Sequence, residues 1–178
     1  RFDPKKDHFN LLDTLSLIRS KNINFICILV GSNINKNNIS LVRKIKKLKL
    51  SNCVKLLGQK DNIMKIMNGL DIYIQSSSYG EGFPNVVAEA MACGIPCVVT
   101  DVGDAAYLVG KTGWVSPPNN SIQLAKVLEK AIKKISANSL NKGFNESRFR
   151  IKKNFDIIKM LRSYNRVWIS VYKRNKVN

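Results

Sequence analysis

Apolar residues along the chain follow two patterns, a helical spacing and short unbroken runs. Spacing of i, i+3 and i+4 is typical of amphipathic helices, and apolar runs bounded by glycine are typical of buried strands. The spacing predicts helices over 7–20, 41–50, 63–67, 84–93 and 121–135, with one or two more across 145–173. The runs predict strands over 24–30, 54–57, 70–74 and 95–100, with a short strand at 113–115.

The order of these elements predicts a fold class. Strands that alternate with helices imply right-handed crossovers, and so a three-layer α/β domain with a parallel sheet and helices on both faces. Strand 24–30 is expected to be buried on both faces. Pro84 in the first turn, Gly94 just past the end and Ser121 as an N-cap support the helix boundaries. No linker divides the chain, so 1–178 is predicted to be a single domain.

Composition excludes several classes of protein. The 178 residues are 44% hydrophobic and 24% charged, which is ordinary for a globular domain and unlike a disordered chain. The longest apolar runs are too short to span a bilayer, and no secretory leader is visible. The chain opens with Arg1 and no initiator Met, so we expect a piece of a longer protein. Its four cysteines suit a reducing compartment, so we expect it to be cytoplasmic.

The net charge of +18 is unevenly distributed. Residues 1–60 and 121–178 hold 13 and 15 Lys/Arg against 3 acids each, whereas residues 61–120 hold 2 against 6. One explanation of this charge is a general bias of the composition toward Asn and Lys. The alternative is a functional basic face. The basic helix 41–50 is either a solvated surface or a docking face for anionic lipid. A basic nucleic-acid-binding module is a further alternative, disfavoured by the acidic middle, so no nucleic-acid partner is expected.

The most informative stretch is 76–94, which follows a predicted buried strand. Ligands bind at that edge of a parallel sheet. Gly80 and Gly82 leave the backbone bare, and the helix that begins at Pro84 offers unpaired amides to an anion. Glu81 and Glu89 could each accept hydrogen bonds from a pair of hydroxyls, which suits a sugar nucleotide. Equally, Glu81 could complement the helix dipole and Glu89 could be a surface residue.

Residues 81–103 carry a family resemblance. They read Glu-Gly-Phe-Pro-Asn-Val-Val-Ala-Glu-Ala-Met-Ala-Cys-Gly-Ile-Pro-Cys-Val-Val-Thr-Asp-Val-Gly, which resembles the signature of the family-four retaining glycosyltransferases, or group 1 glycosyl transferases. Segments 1–6, 58–61, 112–118 and 154 onward are similar to other elements of that family. The resemblance implies a Rossmann-like domain that is one half of a GT-B fold. The chain would be the C-terminal, donor-binding half, with the N-terminal acceptor domain absent and 155–178 packing toward it.

The resemblance also implies roles for individual residues. The catalytic set would be Arg1 and Lys6, which would clasp the donor diphosphate, and Glu81, which would hold hydroxyls of the transferred sugar. The residues that it implies for donor binding are Gly82, Phe83, Pro84, Glu89, Gly31, Gly58 and Gln59. Among these, Glu89 would hold the ribose, Gly58 and Gln59 would lie against the base, and Gly31 would let the backbone approach the ligand.

Chemistry follows from the resemblance as well. The substrates would be a nucleotide-diphospho-sugar donor and a glycan or lipid-linked acceptor, in polysaccharide, lipopolysaccharide or glycolipid synthesis. No cofactor and no metal are expected, because two cations and a helix N-terminus would stabilise the leaving diphosphate. Configuration would be retained by same-face attack, without a protein nucleophile. This chain alone is not expected to turn over substrate. Another GT-B enzyme, such as a sugar-nucleotide epimerase or a phosphorylase, is the alternative.

Some residues depart from the family pattern or suggest other sites. Asp7 stands where the family usually has Gly, and Gln59 where it often has Arg. Cys93 and Cys97 have metal-like spacing but are interpreted as small core residues. His8, the sole histidine, is interpreted as a surface residue or a phosphate neighbour rather than a catalytic base. Trp168 and Tyr172 on the last helix are expected to pack against the domain or against the missing half.

Overall fold

A computed structural model describes residues 1–137 and 142–174, in which short parallel strands alternate with helices. The strands are β1 (Cys27–Leu29), β2 (Val54–Leu56), β3 (Tyr73–Gln75), β4 (Cys97–Thr100) and β5 (Trp114–Ser116). The helices are α1 (His8–Ser20), α2 (Ile39–Lys47), α3 (Ile63–Met67), α4 (Asn85–Ala92), α5 (Ala105–Val109), α6 (Ser121–Ala137), α7 (Lys142–Asn154) and α8 (Ile157–Arg174). Short 3₁₀ turns cover Pro4–Lys6 and Gly110–Thr112.

The strands form two parallel sheets rather than one. β1 pairs with β2, Cys27 opposite Val54, while β4 lies between β3 and β5, with Tyr73 opposite Cys97. The prediction of a parallel α/β fold is therefore confirmed, but its single sheet is divided between β1 and β3. Strand 24–30 is not buried on both faces as predicted, because Ile26 is 62% exposed beside this division.

Apolar side chains on the two faces of the strands pack into two clusters. One cluster joins α1, α2 and α6 to both sheets, and it includes Val98 of β4. The other joins α4 and α5 to the three-stranded sheet, and it includes the next residue, Val99. Because neighbouring residues of a strand point to opposite faces, helices cover both faces as predicted.

Several helix boundaries differ from the predictions. Pro84 is the N-cap of α4 rather than a residue of its first turn. The cap of α6 is Asn120, not Ser121, since the side chain of Asn120 accepts a hydrogen bond from the amide of Gln123 (2.9 Å). The sequence analysis missed α5, whose five residues are too few to show a helical period.

The last helix, α8, lies outside both clusters. None of its side chains is buried, and Trp168 is 67% exposed, so Trp168 does not pack against the domain, the first of its two expected partners. Packing toward another half of the protein stays a prediction. Within 1–137 and 142–174, no helix is long and apolar enough to cross a lipid bilayer.

Candidate functional site

The candidate site lies where the chain leaves β1, β3 and β4, at the carboxyl ends of the strands. The segment before α1 meets the loop after β3 here, and the loop after β4 supports that loop from behind. In open parallel sheets, ligands bind at this edge.

A short turn before α1 presents Lys6. The carboxylate of Asp3 accepts a hydrogen bond from the amide of Lys5 (3.0 Å), which starts the turn. Asp7 ends it with a φ of 44°, in the left-handed region that favours glycine, and its carboxylate caps α1 by accepting from the amide of Asn10 (3.1 Å). Aspartate tolerates this conformation better than most residues. The departure from the family's Gly is thus structurally compatible, and it supplies a cap that Gly lacks.

Hydrogen bonds fix this turn against the loop after β3. The hydroxyl of Ser76 donates to the carbonyl oxygen of Lys6 (2.8 Å), and the amide of Ser78 donates to that of Lys5 (2.8 Å). The backbone of Lys6 is therefore positioned by the second sheet, although its segment leads into the first.

Lys6 and Glu81 form the central contact of the site. The Lys6 ammonium donates to Oε1 of Glu81 at 2.6 Å, and the hydroxyl of Ser77 donates to the same oxygen at 2.6 Å. Partial burial acts to raise the pKa of Glu81, but the hydrogen bonds from Lys6 and Ser77 and the charge of Lys6 outweigh it, so its pKa lies below the ordinary value. Glu81 is therefore an ionised acceptor at neutral pH.

Ser77 is a site residue that the sequence analysis missed. It is fully buried, and its carbonyl oxygen accepts a hydrogen bond from the hydroxyl of Thr100 on β4 (2.6 Å). Its side chain orients Glu81. Its place at the end of a buried strand, four residues before Glu81, is the signal that could have identified it.

The loop at Glu81–Gly82 rests on the loop after β4. The amide of Asp104 donates to the carbonyl oxygen of Gly82 (3.0 Å). Gly103 has a φ of +58°, and a Cβ there would lie 2.5 Å from that oxygen and closer still to the carbonyl oxygen of Glu81. The contact therefore requires glycine at 103. At Gly82 an added Cβ would meet nothing within 4 Å.

The amino end of α4 opens next to Glu81. Pro84 is buried and no side chain caps the helix, so the first amides of α4 are free of a side-chain acceptor. Phe83 is 42% exposed, and its ring lies 5.7 Å from that of Phe155. Such a helix end favours an anion.

The start of the chain also contacts the segments that follow β1 and β2, through Arg1, Gly31 and Gly58. The amide of Gly31 donates to the carbonyl oxygen of Gly58 (2.8 Å), and a Cβ on Gly31 would lie 2.6 Å from the backbone nitrogen of Arg1. The guanidinium of Arg1 is exposed and pairs with Asp3 (Nε to Oδ2, 3.0 Å). Gln59 is exposed beside Gly58.

Glu89 is exposed on α4 and takes no part in the Lys6–Glu81 ion pair. Among residues 1–137 and 142–174, no cation comes within ion-pairing distance of it. The structure thus places an unpaired carboxylate on the helix whose amino end adjoins Glu81.

His8 and the cysteines do not form a second site. Burial, with the positive charges of the amino terminus and Lys6, lowers the pKa of His8 to about 4, so this side chain is neutral and half-buried rather than an exposed surface residue. Cys97 is buried in β4 and Cys93 ends α4 beside the same cluster, which confirms them as core residues. In the described part of the chain, no three His, Cys, Asp or Glu side chains converge as metal ligands.

Comparison with known proteins gives one family. Residues 1–154 match the family model described as "Glycosyl transferases group 1". Curated relatives include the N-acetyl-alpha-D-glucosaminyl L-malate synthase of Bacillus anthracis, 26% identical over 140 residues, which are 77% of this chain and 36% of the relative. The putative glycosyltransferase EpsF of Bacillus subtilis is 31% identical over 101 residues, 57% of this chain and 26% of EpsF.

Solved structures agree with this assignment. A glycosyltransferase from Rickettsia africae superposes with a TM-score of 0.85 at 25% identity, over 97% of this chain and 46% of that one. Anabaena Alr3699/HepE in complex with UDP gives 0.82 at 26% identity, over 96% of this chain and 47% of that one. The chain spans about half the length of these structures, and less of the curated relatives.

Proposed function

The chain belongs to the group 1 glycosyl transferases, and we propose that it is the domain that binds the nucleotide-diphospho-sugar donor of a retaining transferase. The observation that carries this proposal is the contact of Lys6 with Glu81 beside the uncapped amino end of α4. A cation, a helix end and an ionised acceptor within one loop cluster suit a diphosphate joined to a sugar. The alternatives, a nucleic-acid module and an epimerase, gain no support from the comparisons.

Lys6 and the α4 amides would bind the diphosphate. Departure of the nucleoside diphosphate builds negative charge on its β-phosphate, and preorganised donors stabilise such charge without a metal. Arg1 would join them: its pair with Asp3 is exposed, and exposed pairs contribute about 0–1 kcal/mol, so a phosphate could displace it readily.

Glu81 would accept hydrogen bonds from hydroxyls of the transferred sugar, with the amides of Gly82 and Phe83 donating nearby. Ser77 and Lys6 hold the carboxylate in place before the sugar arrives. Glu89 would accept from the ribose hydroxyls, while Gly58 and Gln59 would lie against the base.

The transfer needs no protein nucleophile. The acceptor oxygen attacks the anomeric carbon on the face that the diphosphate leaves, and its proton passes to the departing phosphate oxygen. The bond to the leaving oxygen breaks as the new glycosidic bond forms, so configuration is retained. The acceptor would be a glycan or a lipid-linked acceptor, bound by the acceptor domain. HepE, with which the chain superposes, was crystallised with UDP-glucose as well as UDP, which supports a nucleotide sugar as donor.

Titration with UDP, GDP and ADP in the presence of EDTA, followed by amide NMR, tests this proposal. We expect one nucleotide to shift amides at 1–6, 58–59 and 81–89. Lys6→Ala should weaken that binding by about tenfold to a hundredfold, the range of a lost hydrogen bond to a charged group. Glu89→Ala should weaken it as well.

Lys65→Ala is the matched control, because Lys65 is an exposed lysine on α3 to which the proposal assigns no role. Its affinity should equal that of the unmodified chain. Unchanged affinity in both Lys6→Ala and Glu89→Ala, or binding that appears only when a divalent cation is added, would contradict the proposal.

A further inference from the structure

A buried glutamine lies behind the carboxylate of the candidate site. Gln75 is the last residue of β3, and only 6% of it is exposed. Its Nε2 donates to the hydroxyl of Ser77 at 3.4 Å, whereas its Oε1 has no hydrogen-bond partner among residues 1–137 and 142–174. Buried polar groups in folded proteins are normally satisfied, so this oxygen needs an explanation.

Packing alone would favour an apolar side chain at position 75. Gln75 lies opposite Val99 of β4 in the register of the sheet, and Val99 belongs to an apolar cluster. An unpaired buried acceptor is unfavourable, whereas an apolar side chain of similar shape avoids that penalty. Methionine, which is as long as glutamine, would leave no oxygen without a partner. The carboxamide is therefore expected to have a role beyond packing.

The carboxamide of Gln75 contacts a hydroxyl that has a single proton to donate. Ser77 donates that proton to Oε1 of Glu81 at 2.6 Å. The remaining capacity of a serine oxygen is to accept. Because an N–H of Gln75 approaches the oxygen of Ser77, the hydroxyl proton is directed away from Gln75 and toward Glu81.

The reverse orientation of the carboxamide would have the opposite effect. With its oxygen toward Ser77, Gln75 would accept the serine proton and its own acceptor would be satisfied. Glu81 would then lose the hydrogen bond from Ser77 and keep the one from Lys6. The unpartnered Oε1 of Gln75 is thus a consequence of presenting an N–H to Ser77.

The neighbouring strand fixes Gln75 and Ser77 in place. Side chains two positions apart along extended backbone lie on the same side, which agrees with the contact between these two residues. The hydroxyl of Thr100 on β4 is within hydrogen-bonding distance of the carbonyl oxygens of Ser77 (2.6 Å) and Gln75 (3.5 Å). Thr100 and Ser77 are both fully buried. The two side chains are therefore anchored in the sheet rather than in the loop that contains Glu81.

We propose that Gln75 is a positioning residue for Glu81 and acts through Ser77, whose proton it directs to the carboxylate. Glu81 is thereby held in one orientation, and its other lone pairs remain available to hydroxyls of a bound sugar. The effect on sugar binding rests on the proposed donor function, whereas the positioning of Glu81 does not. Burial acts to raise the pKa of Glu81, while hydrogen bonds from Lys6, Ser77 and then Gln75 act to lower it.

The pKa of Glu81 tests this positioning without any ligand. An NMR titration of its side-chain carboxyl carbon compares the unmodified chain with Gln75→Met, Ser77→Ala and the variant that carries both changes. Gln75→Met should raise the pKa of Glu81, because the ionised carboxylate loses part of its hydrogen bonding. In the Ser77→Ala background the same change should have a much smaller effect, since the hydroxyl through which Gln75 acts is gone.

Controls keep this titration specific to Glu81. Gln123→Met makes the same change at an exposed position of α6 and should leave the pKa of Glu81 as it is. His8 lines the same cavity, and burial lowers its pKa to about 4, so its ring carbons are followed in the same samples. Lys6, the charged group that faces Glu81, is present in every variant. Tyr73 on β3 stays neutral, because burial raises its pKa.

Binding of UDP and of UDP-glucose tests the consequence for the sugar. Gln75→Met should weaken the binding of UDP-glucose about threefold to tenfold, the range of one hydrogen bond, and leave that of UDP within about twofold. Gln75→Leu repeats both measurements with a second apolar side chain, should the methionine variant fail to fold.

Three results would overturn the proposal. The first is an unchanged pKa of Glu81 in Gln75→Met. The second is an equal rise of that pKa with and without the Ser77 hydroxyl. The third is an equal loss of affinity for UDP and UDP-glucose, which would mean that Gln75 shapes the whole pocket. If neither probe binds to the unmodified chain, the donor assignment is at fault, and the titration of Glu81 still decides the role of Gln75.

Discussion

Asp7 lies between the turn that contains Lys6 and the first helix, α1. This position places two structural requirements on the residue. Its backbone lies in the left-handed region and its carboxylate caps α1. Glycine would meet the first demand alone, asparagine would meet both, and alanine would meet neither.

We expect Asp7→Ala to lower the free energy of unfolding by about 2–3 kcal/mol, from about 1 for the cap and 1–2 for the backbone conformation. Asp7→Asn should stay within about 0.5 kcal/mol of the unmodified chain, and Asp7→Gly should lie between the two. Urea unfolding of the four proteins gives the comparison. An alanine variant as stable as the asparagine variant would refute the assignment of both demands.

Glu81 links site chemistry to pH. Its pKa is lower in the folded state than in the unfolded chain, because Lys6 and Ser77 hydrogen-bond to the ionised form despite partial burial. Its contribution to stability is therefore complete above the ordinary glutamate pKa of about 4.3 and is lost as pH falls through the lowered value.

Glu81→Gln should accordingly be less stable than the unmodified chain at pH 7, and the difference should shrink progressively below about pH 4. Unfolding in urea at a series of pH values measures this. Glu89→Gln is the matched control, since it makes the same change at an exposed carboxylate that has no ion-pair partner in the described ranges. A Glu81→Gln difference that is constant with pH would contradict the pairing.

At the scale of elements, the site depends on loops that no periodicity encodes. The loop after β3 is held by the turn before α1 in front and by Gly103 and Asp104 behind. Lys6 and Glu81 are 75 positions apart in the sequence, and only folding brings Nζ of Lys6 to 2.6 Å from Oε1 of Glu81.

Gly103→Ala tests how tightly these loops fit. An added Cβ would collide with the carbonyl oxygens of Glu81 and Gly82, so we expect a loss of at least about 2 kcal/mol, through left-handed strain and overpacking together. Gly82→Ala adds the same methyl group into open space and should change stability by less than about 1 kcal/mol. Similar losses in the two variants would show that the loops do not pack as described.

Helices and strands of this chain were predictable to different degrees, for physical reasons. Apolar spacing identified α1, α2, α4 and α6, because each buries one stripe against the strands. It missed α5, which has too few residues for a period, and it assigned the cap of α6 to Ser121 although Asn120 is in reach of the free amides. The Glu81 loop was recognisable from its sequence, whereas Ser77 was not, because its role depends on where its hydroxyl points.

The whole molecule consists of a packed α/β body and a helix that stands apart from it. α8 has no buried side chain, yet Ile157, Leu161, Tyr164 and Trp168 give it a large exposed apolar surface. Exposed apolar area of this kind favours association. We therefore expect the helix to contribute more to contacts with other polypeptide than to the stability of this domain.

Truncation after Asp156 should leave the free energy of unfolding within about 1 kcal/mol of the unmodified chain, since Phe155 and its ring contacts remain. It should also reduce self-association. Urea unfolding and sedimentation velocity measure the two effects. A loss of several kcal/mol would mean that α8 packs on the body after all.

The contact of Lys6 with Glu81 has a mechanical consequence for the molecule. Lys6 precedes α1 and the two-stranded sheet, whereas Glu81 follows β3 of the three-stranded sheet. The ion pair therefore connects the two sheets at the carboxyl ends of their strands. A diphosphate that bound Lys6 together with the amides of α4 would add a second connection between the two sheets. The two sheets would then separate less often, and the free energy of unfolding would rise with the concentration of nucleotide.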